Sequence, residues 1–295
     1  MKVVIGASSF STIGAVELLT QHGFEVVLNP YGRKMTEQET VSQLQGATGL
    51  LAGLEVINEN VLAQVPGLKA VARIGIGMDS IDIPAVETRG IKLSNTPDAP
   101  TNAVAEMVLA ALLAIGRRII ESNQNMHTGV WKKAMGFSLD GLNVLLIGYG
   151  RIGRRVAEML RFFNANVMVY DPAFPEQSVT DLNVALASAD VISLHVSGNK
   201  EVLTPAMFSH MQKGVVILNS ARGSLINEDL LFDKLNTGDI SYFWGDVFWD
   251  EPYTGKLTGC ANAILTPHTS TYTKQCRQSM EMQAAQNLLR DLQHV

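Results

Sequence analysis

Three side chains in the second half of the chain are of types that could bind an anion and move a proton, and each follows a predicted strand. Arg222 comes after the apolar run 215–218, and its planar guanidinium could clamp a carboxylate. Glu251 lies in an acidic loop, where a carboxylate could orient a histidine by charge pairing. His268 follows the short run 263–265, and histidine exchanges protons readily near neutral pH. Taken singly, each could instead be a solvated loop charge or a structural histidine.

A glycine-rich turn lies further upstream, between two predicted strands. The apolar run 143–147 is typical of a buried parallel strand, and a helix-like segment, 151–161, follows the turn. In a G-x-G-x-x-G turn, the first glycine makes the tight bend, the second lets the backbone approach a pyrophosphate, and the third allows close helix packing. The N–H groups of the helix N-terminus can then bind phosphate oxygens. The residues of the motif are Gly148, Tyr149, Gly150, Arg151, Ile152 and Gly153.

An acid ends the next predicted strand, 166–170. Asp171 lies 18 residues after Gly153, where a carboxylate can accept hydrogen bonds from ribose hydroxyls. The same carboxylate would repel a 2′-phosphate, so it favours NAD over NADP. Strand, turn, helix and acid together predict a dinucleotide site, which the glycine motif alone would not. The alternative is a tight strand–helix turn followed by a solvated aspartate.

Alternating apolar strands and helical segments must position these side chains. The predicted strands lie near residues 2–6, 25–28, 48–52, 70–73 and 91–94 and then near 143–147, 166–170, 190–194, 215–218, 242–247 and 263–265. Helices are predicted near 11–22, 36–45, 58–64 and 82–88, with a long one over 101–126 and a last one over 274–292. This alternation predicts parallel sheets with helices on both faces.

Composition excludes several classes of protein. A length of 295 residues suggests two domains, and a net charge of −5 argues against nucleic-acid binding. No apolar run approaches the ~20 residues that a membrane span needs. Cys260 and Cys276 are isolated and form no metal-ligand cluster, so we expect no metal and a reducing, cytoplasmic location.

Together these segments resemble the D-isomer-specific 2-hydroxyacid dehydrogenases, and within them the short form of the D-3-phosphoglycerate dehydrogenase group, without a regulatory domain. The resemblance covers nearly the whole chain and includes segments 71–82, 95–97, 105–106, 148–153, 219–223, 246–252 and 266–268. Several motifs in the family's order are more specific than any one alone. The resemblance therefore favours functional roles for Arg222, Glu251 and His268 over the simpler interpretations.

The resemblance implies a role for each candidate residue. Arg222 would hold the substrate carboxylate and polarise the 2-oxo group, and His268 would exchange a proton with the substrate oxygen. Glu251 would hydrogen-bond His268 and favour its protonated form, while hydride passes between substrate C2 and nicotinamide. Besides the glycine motif and Asp171, the implied cofactor contacts are Thr101, His195, Val196, Ala221 and Asp246, the last through the carboxamide. The implied substrate contacts are Arg222, Arg73 and the backbone N–H groups of Gly75, Ile76 and Gly77.

The predicted fold class is α/β, with a Rossmann nucleotide-binding domain and a flavodoxin-like substrate domain, both doubly wound parallel sheets. Residues 1–98, completed by a C-terminal helix over 272–295, would form the substrate domain, and residues 99–271 would bind NAD. Two such units imply a cleft between them, the usual place for a small ligand.

Several functions and one assembly are consistent with this pattern. The leading prediction is an NAD-dependent oxidoreductase acting on a D-2-hydroxy acid or 2-oxo acid. A 3-phosphoglycerate or phosphohydroxypyruvate substrate would need a phosphate site, for which Arg73, Lys132 and Lys133 are basic candidates. Glyoxylate or hydroxypyruvate reduction is the alternative, as is a non-catalytic NAD(H)-sensing protein of the co-repressor type. The helix over 104–120 is apolar around much of its circumference, which favours a homodimer or burial within one chain.

Overall fold

The computed structural model describes residues 1–293, and their contacts divide them into two compact units. Unit 1 contains Met1–Pro100 and the segment that starts at Thr271, and unit 2 contains Thr101–Ser270. The predicted boundaries, after residues 98 and 271, lie within two residues of these divisions. The last two residues of the predicted helix 272–295 lie outside the described residues. Which ligand each unit binds stays a prediction.

Strands and helices alternate along both units. The strands are β1 (Lys2–Ile5), β2 (Glu25–Leu28), β3 (Ala47–Ala52), β4 (Ala70–Arg73), β5 (Lys92–Ser94), β6 (Asn143–Ile147), β7 (Asn166–Tyr170), β8 (Val191–Leu194), β9 (Val215–Asn219), β10 (Ile240–Gly245) and β11 (Ala263–Leu265). The helices are α1 (Ile13–Gln21), α2 (Glu37–Leu44), α3 (Glu59–Ala63), α4 (Ile83–Thr88), α5 (Thr101–Gly116), α6 (Ile119–His127), α7 (Arg151–Phe162), α8 (Leu182–Ser188), α9 (Pro205–His210), α10 (Glu228–Thr237) and α11 (Lys274–Gln293).

The five strands of unit 1 form one parallel sheet in the order β2-β1-β3-β4-β5. The chain continues from β1 to β2 on one side and returns to β3 on the other, so the switch point lies between β1 and β3. Open α/β sheets usually bind ligands at this point, beside the carboxyl ends of the strands. Helices α2, α3 and α4 pack on one face, and α11 covers β3, β4 and β5 from the other.

The six strands of unit 2 form a second parallel sheet in the order β11-β10-β9-β8-β6-β7. Counted from its own first strand, this order repeats that of unit 1 and adds a sixth strand, so the switch point lies between β6 and β8. Helices α5 and α7 pack on one face, and α8, α9 and α10 pack on the other. Two parallel sheets flanked by helices confirm the predicted fold class.

The long helix predicted over 101–126 is interrupted, because α5 ends at Gly116 and α6 begins at Ile119. Arg118 has a φ of 52°, in the left-handed region, and its guanidinium lies 4.7 Å from the centre of the Tyr242 ring. The carbonyl of Gly116 accepts a hydrogen bond from the N–H of Phe137 at 2.8 Å. Contacts with residues distant in sequence therefore break the helix.

The described residues contain neither a membrane-spanning helix nor a cluster of metal ligands. Within residues 1–293, no helix has both the length and the apolar character to cross a bilayer. In the same residues, no three His, Cys, Asp or Glu side chains are grouped so that they could hold a metal ion. Cys260 and Cys276 carry thiols rather than a disulfide.

Candidate active site

The glycine motif joins β6 to α7 at the switch point of the unit 2 sheet. Gly148 has a φ of 102°, and a Cβ atom there would lie 2.6 Å from the backbone carbon of His195, the first residue after β8. A Cβ atom on Gly153 would overlap the carbonyl oxygen of Gly148. By contrast, a Cβ atom on Gly150 would meet no atom of the described residues within 4 Å. Two glycines are thus required by the packing of the protein itself, and the third borders open space.

This turn fits the predicted dinucleotide. Gly150 is the N-cap of α7 and has no side chain with which to cap this end of the helix, where backbone N–H groups can bind an anion. Asp171 follows β7, and its Oδ2 accepts a hydrogen bond from the Tyr149 N–H at 2.7 Å. Its Oδ1 accepts from the Ala173 N–H at 2.9 Å. Each carboxylate oxygen has a second lone pair, which a ribose hydroxyl could use.

The other predicted cofactor residues are placed around the same edge of the sheet or at the start of unit 2. Tyr149 packs edge-on against Phe174, with 5.9 Å between ring centres, and Ile152 packs against the core of unit 2. Thr101 begins α5, and its Oγ1 is buried without a hydrogen-bond partner among residues 1–293. Arg151 is the exposed first residue of α7. Val196 and Ala221 follow β8 and β9, respectively.

His195 is held as a neutral imidazole. Burial lowers its pKa from 6.5 to about 4, so the ring carries no charge at neutral pH. Nε2 lies 2.9 Å from the Ser193 hydroxyl oxygen, and Nδ1 is buried without a partner in the described part of the chain. A buried, neutral imidazole suits a cofactor contact better than it suits proton donation.

His268 and Glu251 form a direct pair at the carboxyl edge of unit 2. His268 Nδ1 lies 2.8 Å from Glu251 Oε2, and Oε1 of the same carboxyl accepts the Phe248 N–H at 3.1 Å. Burial alone would raise the pKa of Glu251, but the hydrogen bond and charge of His268, the Phe248 N–H and the charge of Arg222 together hold it below its usual range. Glu251 is therefore an ionised acceptor for the histidine ring.

Arg222 lies in the loop that follows β9, beside this pair. Its Nη1 donates to the Ala221 carbonyl oxygen at 2.6 Å, and its own carbonyl accepts from Asn219 Nδ2 at 2.8 Å. A Cβ atom on the next residue, Gly223, would overlap the backbone of Phe248, so the loops after β9 and β10 touch. The three predicted catalytic residues therefore lie on neighbouring loops of one sheet edge.

The sequence implied a cofactor contact for Asp246 but did not reveal that this residue is buried beside the His268 loop. It is 1% exposed, and its Oδ1 accepts hydrogen bonds from Thr266 Oγ1 at 2.6 Å and from the Thr269 N–H at 2.9 Å. Its Oδ2 accepts from the Ser270 N–H at 2.9 Å. These bonds fasten both sides of His268, whose φ of 52° is unusual for a residue with a side chain. A cofactor contact for Asp246 stays a prediction, whereas its support of the histidine loop is observed.

The predicted substrate loop belongs to unit 1 and follows β4. The Gly75 N–H donates to Thr96 Oγ1 at 2.8 Å, so this donor is committed to the protein itself. Arg73 donates from Nε to the Gly77 carbonyl at 3.1 Å and from Nη1 to the Ile74 carbonyl, and thereby braces the loop. Ile76 is exposed at the tip, where Asn95 Nδ2 donates to its carbonyl. Among the described residues, the N–H groups of residues 76 and 77 are the ones left to meet a carboxylate.

Comparison with known proteins places this geometry in a family. Residues 109–270 match the model of the D-isomer specific 2-hydroxyacid dehydrogenase NAD-binding domain. The chain is 29% identical over 290 residues to a D-3-phosphoglycerate dehydrogenase of Archaeoglobus fulgidus, covering 93% of this chain and 54% of that one. It is 32% identical over 249 residues to a hydroxypyruvate reductase of Thermotoga maritima, covering 80% and 81%. The chain thus spans about half the length of the first relative and about four-fifths of the second.

A solved structure agrees over the full chain. The crystal structure of a protein from Thermus thermophilus matches with a TM-score of 0.90 and 31% sequence identity. The match covers 100% of this chain and 97% of the other.

Proposed function

Since the chain belongs to the D-isomer specific 2-hydroxyacid dehydrogenase family, we propose that it interconverts a small D-2-hydroxy acid and its 2-oxo acid, with NAD as the hydride carrier. The predicted family, the NAD-dependent enzyme class and the cofactor are confirmed by the family model and the relatives. The observation that carries the proposed chemistry is the 2.8 Å contact between His268 Nδ1 and the Glu251 carboxylate. It supplies a histidine with one ring nitrogen fixed and the other available for a proton.

His268 is the proposed acid and base. With Nδ1 bonded to Glu251, the ring exchanges its proton with substrate through Nε2. In reduction, Nε2–H protonates the carbonyl oxygen as C2 gains hydride; in oxidation, Nε2 accepts the hydroxyl proton as hydride leaves. Glu251 fixes the tautomer of the ring and stabilises the imidazolium. A positioned acid–base group of this kind contributes roughly 10²–10⁴-fold to the rate.

Arg222 and the loop after β4 are the proposed anion binders. The Arg222 guanidinium would pair with the substrate carboxylate and polarise the 2-oxo group, because a planar cation stabilises charge that develops on oxygen. For unit 1 taken by itself, the N–H groups of Ile76 and Gly77 are proposed to bind an anionic group. Bound NAD, held by the glycine turn and Asp171, would supply or accept hydride at C2.

Turnover tests the proposal directly. Purified protein with NADH should consume NADH when glyoxylate, pyruvate or hydroxypyruvate is added, and NADPH should support slower turnover. Binding of NADH should be measured in parallel by its fluorescence. NADH binding without turnover of any 2-oxo acid, or of D-2-hydroxy acids in the reverse direction, would contradict the proposal and favour the NAD(H)-sensing alternative.

We further propose a homodimer in the cytoplasm, with α6 and the segment after it at the interface. Helix α5 finds its partners inside unit 2, where Val108 and Leu112 are buried, so its apolar circumference does not itself require a second chain. Helix α6 contains no buried residue, and Trp131 and Met135 beyond it are 80% and 90% exposed. Apolar side chains so exposed favour a protein partner. Light scattering should give a dimer mass that Trp131→Ser reduces toward the monomer; a monomeric wild type at micromolar concentration would contradict this.

A further inference from the structure

The switch point of the unit 1 sheet is filled by a side chain of the protein itself. Glu55 follows β3, is 1% exposed, and its Oε1 accepts the Gly53 N–H at 2.9 Å. A Cβ atom on Gly6, the residue after β1, would overlap Glu55 Oε1. A Cβ atom on Gly53 would lie 2.6 Å from the Ala7 Cα atom and 2.9 Å from Glu55 Oε2. The two glycines leave room for the carboxyl group and for little else.

Burial of the Glu55 carboxyl group at this position is energetically unfavourable. Glu55 Oε2 is buried without a hydrogen-bond partner in residues 1–293. Burial raises the pKa of Glu55, against the opposing effects of the Gly53 N–H and the positive charges of Arg73 and Lys34. A buried polar atom without a partner destabilises the fold. The sheet thus carries an unfavourable carboxyl group at the position where related folds take up ligands.

A second carboxylate occupies the neighbouring anion position on the same edge. The N–H groups of Ser11 and Thr12, at the start of α1, donate to Glu281 Oε2 at 3.0 and 2.8 Å. Glu281 comes from α11, is fully buried, and its Oε1 accepts from Arg277 Nη2 at 2.7 Å. Backbone N–H groups that could bind a phosphate are therefore already bound to an internal anion.

The basic side chains predicted to bind a phosphate do not replace the N–H groups that internal carboxylates already occupy. Two donors of Arg73 go to carbonyl groups of its own loop, and its charge acts on Glu55. Lys132 and Lys133 lie on the exposed stretch between α6 and β6 of unit 2. A phosphate site needs several donors that converge on one point. Arg73 belongs to unit 1 and the two lysines belong to unit 2, so neither unit holds all three side chains.

We propose that Glu55 and Glu281 make unit 1 exclude phosphate, so that the enzyme uses unphosphorylated short-chain 2-oxo acids. This inference rests on the proposed function, in which unit 1 binds the substrate. Its physical basis is that carboxyl groups of the chain itself fill this edge and already bind its N–H donors, so that few donors remain there for a phosphate. Glu55 is thereby assigned as a specificity-determining residue.

Hydroxypyruvate and 3-phosphohydroxypyruvate test this inference, because they differ only in the phosphate. We expect kcat/KM for hydroxypyruvate to exceed that for the phosphorylated acid by at least about a hundredfold. Equal or better use of phosphohydroxypyruvate would overturn the inference and leave the proposed function intact. If neither acid, nor glyoxylate or pyruvate, is reduced while NADH still binds, the proposed function itself fails.

Variants of Glu55 then test the residue. Glu55→Ala removes the carboxyl group and its bulk and frees the Gly53 N–H, so the ratio of kcat/KM values should shift toward phosphohydroxypyruvate by about tenfold. Glu55→Gln keeps the shape and should shift the ratio less, and it keeps the test valid if the alanine variant is poorly folded. Glu87→Ala, at an exposed glutamate of α4, is the matched control and should leave the ratio unchanged. An unchanged ratio in both Glu55 variants, with native thermal unfolding, would remove Glu55 as the determinant.

Discussion

The two sheets have the same strand order over their first five strands, yet their switch points are built in opposite ways. In unit 2, Gly150 borders open space, and as the N-cap of α7 it has no side chain to cap the helix. In unit 1, the glycines after β1 and β3 surround the carboxyl group of Glu55, and the N-terminus of α1 holds the carboxylate of Glu281. One crevice is kept open for a ligand, and the other is closed by side chains of the chain itself.

This difference shows that a glycine at a strand end has no single meaning. Gly150 and Gly6 each lack a side chain at the carboxyl edge of a parallel sheet, but only the first leaves space. The fold alone therefore does not locate a ligand site. Whether the crevice at the switch point is open or filled by the chain itself determines if a ligand can bind there.

The largest effect is expected from removing the proposed acid–base group of the open edge. His268→Asn should lower kcat about 10²–10⁴-fold, because no proton donor then meets the substrate oxygen. NADH affinity should change little, which titration of NADH fluorescence will show. His210→Asn, at an exposed position of α9, is the control. A kcat within a factor of two of wild type would contradict the assignment.

Adding one methyl group to each edge should have opposite consequences. Gly150→Ala meets no described atom within 4 Å and has a φ of −69°, so stability should be kept while the NADH Kd rises at least about tenfold. Gly6→Ala overlaps the Glu55 carboxyl and should lower the free energy of unfolding by about 1–3 kcal/mol. Urea unfolding and NADH titration of both variants provide the measurements. The comparison fails if Gly150→Ala unfolds the protein or binds NADH normally.

Asp171→Ala should reduce the preference for NADH over NADPH by about tenfold. The carboxylate lies at the glycine turn, with hydrogen bonds to the Tyr149 and Ala173 N–H groups, and would repel a 2′-phosphate there. The measurement is kcat/KM for each cofactor at saturating 2-oxo acid. Asp181→Ala, which removes only a helix cap at the start of α8, is a control for general loss of stability. An unchanged preference would place cofactor choice elsewhere.

The smallest effect concerns the pH dependence of stability. The folded-state pKa of His195 is lowered from 6.5 to about 4, so between these values the unfolded chain holds a proton that the folded chain lacks. This contribution to stability is complete above pH 6.5 and is lost as the pH falls toward 4. His195→Asn should therefore lose about 1–2 kcal/mol less than wild type between pH 7 and pH 5 in urea unfolding. His127→Asn, on exposed α6, should behave like wild type; parallel pH profiles for all three proteins would refute the prediction.

Much of the fold could be predicted from the sequence because strands buried on both faces are almost continuously apolar. The strand predicted over 143–147 coincides with β6, and that over 166–170 coincides with β7. The break near Arg118 could not be predicted, because arginine favours helices and the cause is packing against Tyr242 and Phe137. Local preference was overridden there by contacts far along the chain.

In the candidate site, too, some features could be predicted from the sequence and others could not. Glu251 and His268 could be paired on residue type and on the family's motifs, and the structure brings them to 2.8 Å. The support that Asp246 gives to the His268 loop, and the burial of Glu55 at the switch point, could not be predicted from the sequence, because each depends on N–H groups of a loop whose path the sequence does not reveal. A signal for Glu55 does exist: it is an acid within the otherwise apolar stretch 50–57.

The contact between Glu281 and α1 also bears on how the chain is made. Unit 1 is discontinuous, since α11 is synthesised only after all of unit 2. Until α11 leaves the ribosome, β3, β4 and β5 lack the helix that covers one of their faces. The N–H groups of Ser11 and Thr12 lack their acceptor, Glu281, for the same time. Unit 2, continuous in sequence, can complete its core first. The order of synthesis therefore reverses the usual N-to-C order of domain folding, because unit 1 can complete its core only after α11 has emerged.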